Sequence, residues 1–144
     1  MATLVDEKTE MDDPVKEDSP EKVLLNINWP EAMQQVGDDK EFLDEVLADL
    51  LTESVSGLED IAGGVNEGNF ERVMKAAHKI KGSTAYLCCE RTNTTAKSLE
   101  FTAAAAFKNT STLTPEENWE KVNELFSSLK TAFDDLKVEL ESSA

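Results

Sequence analysis

Between Leu43 and Val65 the apolar residues Leu43, Val46, Leu47, Leu50, Leu51, Val55, Leu58, Ile61 and Val65 recur in steps of three and four. That period places them on one face of an α-helix; the two-residue alternation of a half-buried strand is absent. A helix with one apolar stripe must bury it against other elements. The chain is therefore committed to helix-on-helix packing if its remaining segments repeat the pattern.

They do. Ahead of this helix, NWPEAMQQVG (28–37) reads as a short helix with Asn28 or Trp29 before Pro30 in the first turn and Gly37 at the end. Asp38 is then placed to cap the long helix, with Glu41 three residues on as in a capping box. The Gly63-Gly64 pair is expected to fray it, and residues 66–69 to form the turn. A third helix is expected over about 69–88, with Phe70, Val73, Ala77, Ile80, Thr84 and Leu87 as its stripe. A fourth follows over 90–107, turning Ala96, Leu99, Ala103 and Ala106 inward. Residues 108–118 connect it to Thr114-Pro115-Glu116-Glu117, a strong helix start. The last helix carries Trp119, Val122, Leu125, Phe126, Leu129, Phe133, Leu136 and Leu140. Four long amphipathic helices on short turns predict an all-α fold, an antiparallel up-down four-helix bundle with a short extra N-terminal helix. It should occupy residues 26–144. Residues 1–25 carry eight acids, three lysines, Pro14 and Pro20, the composition of a disordered acidic tail.

The net charge of −16 repels phosphate backbones and anionic lipids, which argues against nucleic-acid or membrane partners. There is no run of about eighteen apolar residues, and the acidic N-terminus lacks the apolar block of a signal peptide. A cytoplasmic location is expected, and in a eukaryote a chain this small could also enter the nucleus. The only cysteines, Cys88 and Cys89, are adjacent and a poor fit to disulfide geometry. They read as one buried thiol and an incidental neighbour.

His78 is the only histidine. At about 100° per residue it lies about 130° from the centre of the third helix's apolar stripe, and so points to water. Its helical neighbours are Met74, Lys75, Lys81 and Gly82, with Ala85 two turns along the same side. Glycine inside a helix costs about 1 kcal/mol relative to alanine, so Gly82 needs a reason, and clearance beside His78 supplies one. Residues 71–100 hold six basic side chains (Arg72, Lys75, Lys79, Lys81, Arg91, Lys97) against three acids (Glu71, Glu90, Glu100), a mildly basic island on an acidic chain. An exposed imidazole there suits a small anion, with a phosphoryl group the leading candidate.

The run HKIKGSTA (78–85) resembles the His-x-x-Lys-Gly pattern of histidine-containing phosphotransfer domains. Leu99-Glu100 is similar to the pair that closes that pattern, and NEGNFERVMKAAH (66–78) resembles the turn and helix leading into the histidine. The likeness covers about 27–140. It departs where many members have glycine, here Cys88, and leucine, here Thr92.

The resemblance implies a phosphocarrier whose His78 takes a phosphoryl group from a receiver-domain phospho-aspartate and passes it to a second receiver. No ATPase or kinase activity of its own is expected, since no glycine-rich phosphate loop is present. Lys81 would neutralise charge on the transferring group, Gly82 would give clearance, and Lys79, Lys75 and Ser83 would assist. Met74, Ala85, Met33 and Val36 are expected in the docking patch. No cofactor of its own is expected, and Mg²⁺ should belong to the receiver. Partners would be response-regulator receiver domains and hybrid sensor histidine kinases, with the bundle itself monomeric. A histidine-kinase dimerisation domain fits poorly, because Lys79 follows the histidine and the next proline after it is Pro115. A helical adaptor that works without phosphorylation is the alternative from another class.

Overall fold

Four of the five helix starts are fixed by a side chain that accepts a free backbone N–H of the first turn, and only the one at Cys89 is not. The computed structural model describes residues 23–143 and contains α1 (Trp29–Gln35), α2 (Lys40–Glu67), α3 (Phe70–Tyr86), α4 (Glu90–Phe107) and α5 (Pro115–Ser142). Asn28 accepts from the Glu31 N–H, Asp39 from Phe42, Asn69 from Arg72 and Thr114 from Glu117. At α5 the capping box is complete, because the Glu117 carboxylate accepts the Thr114 N–H in return at 2.9 Å. Among the described residues there is no strand.

Three expectations about α2 are corrected. Its cap is Asp39, not Asp38, and no Asp38–Glu41 box forms, because Gly37 and Asp38 both take left-handed backbone (φ 66° and 62°) to leave α1. The Gly63-Gly64 pair does not fray the helix, which runs on to a left-handed Gly68. A Cβ on Gly64 would come within 2.8 Å of Val73 Cγ2, so that glycine lets α3 cross closely. The inward stripe passes through buried Ser54, which returns its hydroxyl to the Leu50 carbonyl, while Val55 is exposed.

α3 packs on α2 and α4, α4 packs on α5, and α5 closes on α2. Leu43, Leu47, Leu50 and Ile61 of α2 meet Val73, Ala77 and Ile80 of α3, Ala96, Leu99 and Ala103 of α4, and Val122, Leu129 and Leu136 of α5 in one core. α3 is shorter than expected and stops at Tyr86. Cys88 then takes φ 59°, the left-handed region that favours glycine, and Cys89 turns fully inward as the first residue before α4. Buried Thr92 returns its hydroxyl to the Cys89 carbonyl.

The segment before α1 seals this end of the bundle. Asn28 N–H donates to the Cys88 carbonyl, Arg91 N–H to the Leu25 carbonyl, and Leu25 N–H to Glu90. The chain is therefore tied to the bundle from Leu25, two residues ahead of Ile27. Residues 1–22 of the expected acidic tail lie outside the described residues.

Candidate functional site

α3 buries Val73, Ala76, Ala77, Ile80 and Thr84 along one side. That orientation leaves His78 on the opposite side, with 66 % of its side chain exposed. The ring is not free to swing, however. Its Nδ1 lies 2.8 Å from Oε2 of Glu100, and Oε1 of the same carboxylate lies 2.7 Å from Lys81 Nζ. Glu100 reaches across from α4, whose register is set by the buried neighbours Ala96, Leu99 and Ala103. A second tie holds the helices together, since Asn93 Nδ2 donates to the Lys81 carbonyl at 2.8 Å.

Glu100 was legible in the sequence only as the end of a family pattern, and reasoning from the neighbours of His78 along its own helix missed it. The contact joins residues 22 apart, on two helices. Partial burial works to raise its carboxyl, but hydrogen bonds from Lys81 and His78 outweigh this and hold it below the usual glutamate range. The group is thus an ionised acceptor. It requires the proton of a neutral imidazole to sit on Nδ1, which leaves the Nε2 lone pair unprotonated.

Gly82 is exposed, and a Cβ there would meet nothing within 4 Å. Nothing inside the fold demands a glycine at this position. Lys79 is exposed one residue from the imidazole, and with Gly82 and Ser83 it lines a groove that α3 shares with Gly57 and Glu53 of α2. Ser83 turns its hydroxyl back to the Lys79 carbonyl. Lys75 pairs with Glu71 at 3.1 Å, and Ala85 is exposed.

Of the apolar residues expected in a docking patch, not all reach the surface. Val36 is buried in the core and drops out of the patch, because α1 folds onto the bundle and closes over that side chain. Met33 and Met74 are half-buried against the same core. The basic island is likewise reduced by pairing. Arg72 is held by Asp60 and Glu67, Arg91 by Asp135, Lys75 by Glu71 and Lys81 by Glu100. Only Lys79 and Lys97 of its six cations lack an ion-pair partner among the described residues.

The described residues thus form an all-helical bundle that presents one exposed imidazole, its Nδ1 held by a carboxylate from the next helix. The model of the Hpt domain family matches residues 45–138, from within α2 to within α5, and the chain belongs to that family. Its members carry phosphoryl groups on histidine in two-component phosphorelays and are not kinases themselves. No curated protein and no solved structure gave a match. No helix of the described residues is long and apolar enough to cross a membrane.

Proposed function

We propose that His78 is the phosphoacceptor, taking a phosphoryl group from the phospho-aspartate of one receiver domain and passing it to the aspartate of another. The observation that carries this reading is the Glu100 carboxylate at Nδ1, which leaves Nε2 as an outward nucleophile. The Nε2 lone pair forms the N–P bond as the P–O bond to the aspartyl carboxylate breaks, and that carboxylate leaves with the electron pair. No proton moves. The imidazolium produced keeps its Nδ1–H on Glu100, whose negative charge stabilises it. Return of the phosphoryl group runs along the same path, so the exchange is reversible.

In-line transfer needs donor and acceptor held close, with charge neutralised on the equatorial oxygens. Gly82 supports the first requirement. Lys81 and exposed Lys79 support the second, with Lys81 steadied at rest by Glu100. We assign the divalent ion of the reaction to the receiver. The carboxylate nearest His78 is already engaged by the imidazole and by the Lys81 ammonium, whose positive charge disfavours a second cation there. The partners are response-regulator receiver domains and hybrid sensor kinases, which a monomeric carrier would meet in the cytoplasm.

The test is chemical. Incubated with a phosphorylated receiver domain, the protein should acquire acid-labile, alkali-stable phosphate, and His78→Gln should acquire none. Equal labelling of His78→Gln would sink the phosphocarrier reading and leave the adaptor one standing.

A further inference from the structure

The most exposed large apolar side chain in any of the helices is Phe101, at 75 %. It stands beside Glu100 and forms one wall of a groove between α4 and the α4–α5 connection. Ala104, Ala105 and Leu113 supply the apolar remainder, and Lys108 and Lys121 the charge. This groove contains two cations and no carboxylate. Two other grooves differ, since the one between α2 and α3 carries Glu53 and Asp60, and the one beside α1 carries Asp44 and Glu141. On a chain of net charge −16, a basic and apolar groove selects an occupant that is acidic and apolar.

The chain itself contains such a segment. Residues 1–22 hold eight carboxylates against three lysines, with Leu4, Val5, Met11 and Val15 set among them. They join the bundle at the right place, because Leu25 is bonded to Glu90 at the start of α4. From Glu90 to Phe101 is about 16 Å along the helix, and 22 extended residues span roughly 70 Å. We propose that residues 1–22 dock in cis on the groove formed by Phe101, Leu113, Lys108 and Lys121, covering Phe101 and pairing tail carboxylates with the two lysines. Tethering supplies an effective concentration on the order of millimolar, so a contact too weak to hold a free peptide suffices. The docking does not rest on phosphotransfer at His78, and its test uses none.

The test follows amide NMR resonances of Leu4, Val5, Met11, Ala105 and Leu113 in the full chain. Lys108→Glu/Lys121→Glu should move the three tail resonances. Raising salt from about 0.05 M to about 0.5 M should move them the same way in the unaltered protein. Adding Glu10→Lys/Asp12→Lys/Asp13→Lys to the groove variant should return Leu4 and Val5 towards their original positions. Lys137→Glu, a charge change of the same sign and half the size on α5 outside the groove, should leave them in place. Tail resonances indifferent to the groove lysines overturn the proposal, and so does equal displacement by Lys137→Glu. Positions that shift on about hundredfold dilution identify a second copy as the occupant, which overturns docking in cis.

Discussion

His78, Glu100, Lys81 and Gly82 act at the residue scale, and each carries a separate physical burden. Glu100 binds two partners, so its protonation has consequences beyond its own charge. Its folded carboxyl lies below the free-glutamate value of about 4.3. The stability it contributes is therefore present above that value and is lost as pH falls through the lower folded one. A carbon-detected titration of the Glu100 carboxyl should give a midpoint under the free value, and Lys81→Met should raise it. A midpoint indifferent to Lys81 would remove that lysine from the site. Gly82 offers the opposite kind of test, since its helix position is empty all round. Gly82→Ala should stabilise the bundle by up to about 1 kcal/mol in urea unfolding and yet slow phosphotransfer from a receiver. Unchanged transfer would mean that the glycine gives no clearance to a partner.

At the scale of the elements, the turn from α3 to α4 is where the chain departs from the glycine common in its family. Cys88 holds left-handed backbone there at φ 59°, which costs an L-residue about 1–2 kcal/mol. Cys88→Gly should relieve most of that and raise the urea midpoint, by about 1 kcal/mol of stability, the reverse of what glycine does inside a helix. Its neighbour is a different case. Burial pushes the Cys89 thiol up to about 12, so it stays protonated and inert in the folded state. α2 shows why a glycine pair reads as a frayed end: sequence alone registers the lost propensity, whereas Gly64 sits where Val73 of α3 packs too closely for a side chain. The bounds of α4 at Glu90 and Phe107 were legible because the apolar period is local, although no side-chain cap marks its start. Asp39 rather than Asp38 was not, since two left-handed residues decide where α1 lets go.

For the whole molecule, charge is the dominant feature. Thirty acids against fourteen bases repel one another in the compact state more than in an expanded chain. Thermal melting should therefore shift upward as salt rises from about 0.02 M to about 0.3 M, where the Debye length falls below about 10 Å. A Tm that falls over this range would show that the site's ion pairs outweigh the general repulsion. Those pairs also explain why the basic island seen along the sequence is nearly neutral in the fold. Four of its six cations meet carboxylates contributed by other turns or other helices.

The sequence by itself determined the all-helical class, the number of long helices, the outward direction of His78 and the oddity of Gly82. All of these follow from a 3.6-residue period and from backbone propensities that act within a few residues. Only the tertiary structure decided that Glu100 grips Nδ1 and Lys81, that Val36 is core, and that the glycines at 63 and 64 lie inside a continuous helix. Those outcomes depend on which helix faces which and at what height, and that is fixed by packing between residues far apart in the chain.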